Sequence, residues 1–566
     1  METQKPLVFC TTVLIEKSPQ ALPLGAACIA SAVKSAPETK DSFNVKLCSV
    51  SKEDSGYCGA ETLAAVINEQ TFGQKIFCVC FSVYVWNRAE LEETARLLKE
   101  HSPETFMIAG GPEVTAHPLD FEDFDYTVAG AGETAVPSLI SLLYKGFLNK
   151  ENLPQGVFSR NSLPEKTLVS RRAVSPELET LSSPYLDGTL DASVYGGALW
   201  ELARGCPFKC SYCYESKGEN KVKFFPMERI EKELELFNRQ KISQVFVLDP
   251  TYNANKKRAL ELLTLIRQKT KGIFFYFEAR AEFIDRELAR AFTKIPCALQ
   301  FGLQSADAEV LKNVHRSFDK KLFCRNISYL NETGVIFGFD LIYGLPGDTL
   351  SGFRDSIDFA LGLYPNNLET FCLSVLPGTA LFEQAEQFGL VYEKMPPYNL
   401  QYSPSFSEED IRKAASLSNA CNIFYNDGRA VTWFNSVCNI LKIKPSAFLG
   451  QFAEWLLSNP FQKEKCASHT EVEKLQLSFL KNIFEKKQKS AFFAAAESLV
   501  RFYGALSRVE YDGTPQIIKL NYHPDDLADS AALDIKFFTS AAKRFSCRVR
   551  CFKKNGCVDW QLLPKN

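Results

Sequence analysis

Two stretches of this chain alternate continuous apolar runs with amphipathic segments, and that alternation restricts the fold more than any other feature of its 566 residues. In residues 1–150 the runs PLVFCTTVLI, FNVKLCSV, KIFCVCFSVY, TFMIAGG and DYTVAG are separated by helical patterns over 24–34, about 61–68 and 88–100, with a last helix after Glu133. An unbroken apolar strand is buried on both faces, so helices must cover a parallel sheet on each side. A doubly wound, Rossmann-like domain is expected. From Ala198 to about residue 400 a second series follows: ALWELARG, QVFVLD, IFFYFEAR, CALQFGLQ, VIFGFDLIYG and LETFCLSVL. Its first intervening helix carries Met227, Ile230, Leu234 and Phe237 on one face.

Directly after the first run of the second series stands ELARGCPFKCSYCYES, with Cys206, Cys210 and Cys213 spaced Cys-x3-Cys-x2-Cys. A loop of this length can turn three thiolates toward one point, and soft thiolates select an iron-sulfur cluster or zinc. Structural zinc is normally closed by four protein ligands, whereas three leave a position open for chemistry. A zinc knuckle and three unrelated thiols are the alternatives. The other cysteines are scattered without a framework, and a set of reduced thiolates fits a reducing cytoplasm.

The triplet, with Tyr212 just before its third cysteine, resembles the signature of the radical S-adenosylmethionine (SAM) enzymes. In that family three cysteines hold a [4Fe-4S] cluster, the open iron binds the amino and carboxylate groups of SAM, and one electron cleaves SAM to methionine and a 5'-deoxyadenosyl radical. The resemblance implies a partial (β/α)6 barrel over 198–400, with active groups at the carboxyl ends of its strands. SAM needs acceptors for its ammonium and ribose hydroxyls and a cation for its carboxylate. Asp249, Pro250, Thr251 and Tyr252 follow the second strand, Glu278 and Arg280 the third, and Gln304 and Ser305 the fourth. Arg316 lies twelve residues after Gln304, and Asp340 ends the fifth strand ahead of Gly344-Leu345-Pro346-Gly347. With Leu376-Pro377-Gly378-Thr379 after the sixth, the order resembles the coproporphyrinogen-dehydrogenase-like branch, where the matching Gln and Asp hold the nucleoside and the Arg pairs with the carboxylate. The implied SAM set is Tyr212, Asp249, Thr251, Glu278, Arg280, Gln304, Ser305, Arg316 and Asp340. Taken singly, each also reads as a strand-end hydrogen bond or a surface ion pair.

In a doubly wound sheet a ligand sits at the carboxyl ends of the strands. Those ends carry Ser82, Gly110-Gly111-Pro112-Glu113 and Gly130-Ala131-Gly132-Glu133. Glycines there let a large ligand approach the backbone. Together with the LPLG of Leu22 to Gly25, they resemble the cobalamin-binding domain that precedes many radical SAM domains. The resemblance implies that Leu22, Gly25, Ser82, Gly110, Gly111, Glu113, Gly130, Gly132 and Glu133 hold cobalamin. The Asp-x-His-x-x-Gly motif that supplies a cobalt ligand elsewhere is absent, and His101 and His117 lie in the wrong context. Many radical SAM members of this domain family also lack it and bind cobalamin with no protein histidine on the metal. A domain that has lost the cofactor, or binds another ligand, is the alternative.

Residues 151–197, rich in Pro, Ser and Leu, read as a connector. Residues 401–505 look helical, and 506–566 form a small α+β unit with strands at QIIKLNY, CRVRCF and VDWQLL and a Lys-Asn-Gly turn near 555. Cys547, Cys551 and Cys557 raise an auxiliary cluster as an alternative to ordinary apolar cysteines. His469 and His523 are expected to be structural or solvated. A net charge of -2, well mixed along the chain, argues against a nucleic-acid-coating surface or an electrostatic membrane anchor. The N-terminal apolar run is broken by Glu16 and Lys17, too short for a bilayer and without a signal-peptide layout.

The architecture as a whole resembles the cobalamin-dependent radical SAM enzymes with an uncharacterised C-terminal region. That implies a cytoplasmic α/β multidomain enzyme, served by an electron donor such as flavodoxin or ferredoxin, which abstracts hydrogen from an unactivated carbon and lets cobalamin deliver a methyl group there. Two other activities stay open: radical rearrangement, cyclisation or oxidation without methylation, and cofactor binding or sensing without turnover. An RNA-methylthiolating enzyme is disfavoured, because there is neither a second cysteine triplet in residues 1–150 nor a basic RNA-binding tail. From position alone, the C-terminal region is expected to shape or cover the substrate cavity.

Overall fold

The structure is a computed structural model and describes residues 5–149, 151–159, 172–173, 175–217, 221–459 and 468–564. Parts of the expected connector (160–171 and 174) and of the expected helical region (460–467) therefore lie outside the described residues. The first five apolar runs form β1 (Leu7–Leu14), β2 (Asn44–Ser51), β3 (Ile76–Ser82), β4 (Phe106–Gly110) and β5 (Tyr126–Val128). Between and after them lie α1 (Leu24–Ser35), α2 (Ala60–Glu69), α3 (Arg88–His101), α4 (Pro112–Ala116) and α5 (Gly132–Lys145). The strand order is β2-β1-β3-β4-β5-β6, with β1 to β5 parallel. β6 (Val157–Ser159), inside the stretch read as connector, adds antiparallel to β5.

The period of two along a strand sends alternate side chains to opposite faces. Leu7, Phe9, Val79 and Phe81 share a core with Leu63, Ile67, Leu91 and Leu98 of α2 and α3. Val8, Cys10, Cys78 and Cys80 share the other with Ala30 and Val33 of α1 and Val136 and Ile140 of α5. Each fully buried large aliphatic or aromatic side chain contributes about 1.5–3 kcal/mol, so both faces reward an apolar residue at nearly every strand position. β2 and β3 flank β1 on opposite sides, and the winding reverses there. This reversal opens a crevice beyond the carboxyl ends of β1 and β3.

The chain separates into two compact units: residues 1–298, 374–387 and 392–399, and residues 299–373, 388–391 and 400–566. In the first, β7 (Gly197–Trp200), β10 (Gln244–Val247) and β11 (Phe274–Ala279) run parallel, with Gln244 opposite both Gly197 and Phe274. Between β7 and β10, the two-residue strands β8 (Ala203–Arg204) and β9 (Lys223–Phe224) pair antiparallel and clasp the base of the cysteine loop. The passage between units falls inside β12 (Cys297–Gln304). In the second unit, β13 (Ile336–Tyr343) and β14 (Asn367–Cys372) are parallel, with Asp340 opposite Glu369.

The second unit continues into helices whose core is aromatic: Phe424 packs edge-on against Phe434, Phe448, Phe452 and Phe479 at 4.9–6.0 Å between ring centroids. Within it Arg508 Nη1 donates to Glu473 at 2.6 Å and stands 3.0 Å from His469 Nδ1. Burial, then the neighbouring Arg429 and Arg508, push His469 down to about 4. This histidine is structural. The last three strands, Gln516–Leu520, Cys547–Lys554 and Cys557–Leu563, form an antiparallel sheet. Its hairpin turns at Asn555 and Gly556, whose φ of 52° and 82° suit a tight two-residue turn. Cys547 and Cys551 are buried while Cys557, opposite Lys554, is exposed, so the three thiols do not converge. Among the described residues, no helix is long and apolar enough to cross a membrane.

Candidate functional site

The three thiols lie on the loop closed by the β8–β9 clasp. Cys210 is buried, Cys206 and Cys213 are half-buried, and none of the three is in a disulfide. The Cys213 amide donates to the carbonyl of Cys210 at 3.1 Å, which tightens the last turn. Leu381, on the segment returning after β14, donates its amide to the carbonyl of Ser211 at 2.8 Å. Burial raises Cys206 and brings Cys213 to about 11, partly offset by the amides of Phe208 and Glu215. A bound cation would reverse that balance and draw out thiolates. Among the described residues no three His, Cys, Asp or Glu gather closely enough to hold a single ion. The donor set, three thiols on one loop, fits a larger iron-sulfur cluster in chemical type.

Several residues expected at SAM have part of their bonding committed to the protein. Asp249 is buried and its Oδ1 accepts the amides of Leu202 and Ala203 at 2.8 and 2.9 Å, which braces the chain between β7 and the thiol loop. Burial pushes its carboxyl up to about 7 against those two bonds. Thr251 donates its hydroxyl to the carbonyl of Pro250 at 2.7 Å. The Arg280 guanidinium pairs with Glu282 at 2.7 Å and lies 3.9 Å from the Phe208 ring centre in the thiol loop. Tyr212 is half-buried, and Glu278 is exposed at the end of β11.

In the second unit Gln304 ends β12 with φ of +68°, a left-handed conformation rare outside glycine, and its buried Oε1 has no partner among the described residues. Such an orphan acceptor fits a ligand hydroxyl or ammonium. Arg316 donates to the carbonyl of Gly302 on the same strand. Asp340 lies within β13 rather than at its end; burial lifts it to about 6, while Gln300 donates to it at 2.7 Å. Ser305 is buried and its hydroxyl accepts the amide of Asp307 at 3.1 Å, so it shapes the turn after β12.

Beyond the ends of β1 and β3 lies a cavity of about 1190 Å³. Ordinary small-molecule pockets span roughly 300–1,000 Å³. Leu22, Gly25, Ser82, Gly110, Gly111, Gly130, Gly132 and Glu133 all line it. Glu113 does not; its side chain turns to Tyr398. At Gly111 (φ +115°) and Gly130 (φ +98°) the need for glycine comes from the protein itself, since a Cβ would meet the backbone of Val83 or Ala173.

Asn87, buried behind the loop after β3, donates to Thr12 Oγ1 at 2.9 Å and accepts the Tyr84 amide at 2.8 Å. The loop thus presents Tyr84 and Trp86, stacked at 4.5 Å, to the cavity. Sequence reasoning missed this pair, although aromatics directly after a strand end were a readable signal. It also missed Glu201, Arg204, Tyr214 and Glu215, which form the opposite wall. No histidine lines the cavity among the described residues, in keeping with the missing cobalt-ligand motif. The space, the glycine loops and the mixed polar and apolar wall fit cobalamin.

Residues 200–360 match the Radical SAM superfamily, and a three-thiol loop following the first strand of a βα series is what that class requires. Residues 200–360 thus carry a radical SAM domain, and the fold of the chain is that of solved cobalamin-dependent radical SAM proteins. It is similar to the cobalamin-dependent radical SAM methyltransferase TokK of Streptomyces tokunonensis, 28% identical over 345 residues, which are 55% of this chain and 49% of that one. It is also 29% identical over 304 residues to the 2-(S-pantetheinyl)-carbapenam-3-carboxylate methyltransferase of Streptantibioticus cattleyicolor, covering 49% of this chain and 44% of that one. The chain thus spans about half the length of the curated relatives it matches. The solved structure of the cobalamin-dependent SAM radical enzyme OxsB, with aqua-cobalamin and SAM bound, superimposes with a TM-score of 0.58 at 14% identity, over 90% of this chain and 81% of that one.

Proposed function

We propose that the protein is a cobalamin-dependent radical SAM methyltransferase acting on an unactivated carbon. One observation carries the reading: Tyr214 and Glu215, adjoining Cys213, line the same large cavity as the glycine loops of the doubly wound domain. A cofactor in that cavity would therefore be bounded by the two residues that follow the third cysteine. Similarity to two methyltransferases supports methyl transfer as the outcome. Cys206, Cys210 and Cys213 hold a [4Fe-4S] cluster, and residues around β1, β3 and α5 hold cobalamin. When bound, the cluster supplies the electron that cleaves SAM and cobalamin carries the methyl group.

The chain's own residues position and exclude. Tyr84 and Trp86 offer a flat apolar face, while Val13, Ile29 and Leu248 keep the cavity wall dry. Dryness protects a carbon radical from quenching and strengthens every polar contact made inside. Gln304 offers an acceptor of the kind a SAM hydroxyl or ammonium needs, and Arg316 is a cation of the kind its carboxylate needs. In this reading residues 1–150 serve as the cobalamin domain, 198–400 as the SAM domain and the C-terminal region as substrate cover. A small low-potential protein such as a flavodoxin or ferredoxin supplies electrons, in the cytoplasm.

The test is anaerobic purification with cobalamin supplied, metal and sulfide analysis, then reduction with SAM whose methyl group is labelled. Iron, sulfide and stoichiometric cobalt, with 5'-deoxyadenosine and label in a product, are the expected results. Iron and 5'-deoxyadenosine without cobalt would discard the methyltransferase. Both cofactors with an unlabelled product would turn the assignment to rearrangement or oxidation.

A further inference from the structure

Arg204 stands in β8, two residues before Cys206, and is held on both sides by acids. Its Nη2 lies 2.7 Å from Glu133 Oε1, in the first turn of α5. Its Nε and Nη2 also fork onto Glu201 just after β7, at 2.8 and 3.0 Å. The Glu133 side chain is only 9% exposed and that of Arg204 22%, so water screens this contact weakly. The acid also suits the amino end of α5, where the helix dipole favours negative charge.

The same three residues line both the main cavity and an adjoining one of about 450 Å³. The ionic group is therefore the partition between two spaces. Beyond it, Phe225 has Arg204 at 5.8 Å and Arg229 at 4.2 Å from its ring centre. Arg229 pairs with the buried Glu233 at 2.9 Å, which takes the indole N–H of Trp200 at 2.8 Å. The base of the thiol loop is thus tied in one direction to the core of β7 and in the other to the glycine loop 130–133. The β8–β9 clasp itself joins only two residue pairs.

We propose that Arg204 is the positioning residue that couples the two cofactor sites, so that filling the thiol loop tightens the glycine-loop cavity and the reverse. This rests on the cofactor assignment made under the proposed function. A fixed loop fixes Arg204, whose planar fork can satisfy Glu133 and Glu201 together only in a narrow range of positions. Without the guanidinium, two carboxylates face one partly buried space with no shared counter-charge, and the loops separate. Coupling of this kind is reciprocal.

The test titrates hydroxocobalamin, followed by its visible difference spectrum, into protein with and without prior reconstitution by iron and sulfide. In the wild type, reconstitution is expected to tighten binding by about fivefold or more, the lower end of ordinary coupling. Arg204→Gln is expected to take up iron normally yet show a ratio near one. Glu133→Gln, which leaves the Arg204–Glu201 fork intact, is expected to do the same and serves where the first variant folds poorly. In protein without either cofactor, Arg204→Gln should raise amide exchange at 130–133. A wild-type ratio of one, a wild-type ratio retained in the folded variants, or unchanged exchange overturns the proposal. A wild type that binds neither iron nor cobalamin would instead overturn the underlying cofactor assignment.

Discussion

Tyr398 donates its phenolic hydrogen to Glu113 Oε2 at 2.7 Å, joining positions 285 residues apart. Arg88 completes the group, with Nη1 3.7 Å from the same carboxylate oxygen and 3.5 Å from the phenol oxygen. Burial raises the Glu113 carboxyl, and Tyr398 and Arg88 oppose the rise. An acid expected to touch the cofactor instead anchors α4 to the segment that returns after β14.

Tyr398→Phe should therefore act on stability and leave the cavity alone. Loss of a hydrogen bond to a buried charged group amounts to about 1.5–3 kcal/mol. The urea midpoint of the first unit should fall accordingly while hydroxocobalamin affinity holds. An unchanged midpoint would mean that Arg88 alone satisfies Glu113.

Two adjacent glycines should behave differently. A Cβ on Gly111 would overlap the carbonyl oxygen of Val83 and sits at φ of +115°, whereas one on Gly110 meets its nearest atom, the Val128 oxygen, at 3.6 Å. Gly111→Ala is expected to destabilise by about 2 kcal/mol or more, and Gly110→Ala by less than about 1 kcal/mol. Thermal unfolding without any cofactor distinguishes them, since the demand comes from the protein.

Cys213→Ala should remove iron and sulfide and abolish 5'-deoxyadenosine formation. Its hydroxocobalamin affinity should equal that of the unreconstituted wild type, because the cavity wall is built without that thiol. Retention of a full cluster would contradict the ligand assignment.

Asp249 gives a pH signature. Its carboxyl titrates near 7 in the folded chain and at the ordinary 3.8 when unfolded. Between those values the folded state holds a proton that the unfolded state has lost, so the contribution to stability is complete below about pH 4 and is lost as pH rises to about 7. Asp249→Asn keeps an acceptor oxygen for the amides of Leu202 and Ala203 without ionising. It should match the wild type near pH 4 and exceed it near pH 8, with about 4 kcal/mol as the ceiling. Equal pH profiles in denaturant would remove the assignment of burial as the cause.

The parallel sheet was legible because burial on both faces writes an unbroken apolar run, as in KIFCVCFSVY for β3. The cavity walls at Ser82, Gly110 and Gly130 were legible because a doubly wound sheet exposes its strand ends in one crevice. Glu113 was misread because its partner lies hundreds of positions away, and no local pattern announces Tyr398. Asp249 and Ser305 look like ligand contacts in sequence, and the structure adds a second task for each: Asp249 accepts the distant amides of Leu202 and Ala203, and Ser305 the neighbouring amide of Asp307. Arg204 was overlooked beside the cysteines, since its significance depends on Glu133 arriving from another domain. The division inside β12 left no compositional mark, because both sides continue the same strand.

The segments 374–387 and 392–399 belong to the first unit although the second begins at 299, and this sets an order of manufacture. A ribosome that has finished residue 298 must add about a hundred more before Tyr398 can reach Glu113, which at about 5–20 residues per second takes roughly 5–20 s. During that interval the carbonyl of Ser211 lacks its bond from Leu381, although the clasp and the contacts of Arg204 can already hold the base of the thiol loop. The nascent chain thus passes through a period in which the three cysteines are made but the segment that closes over their loop is not.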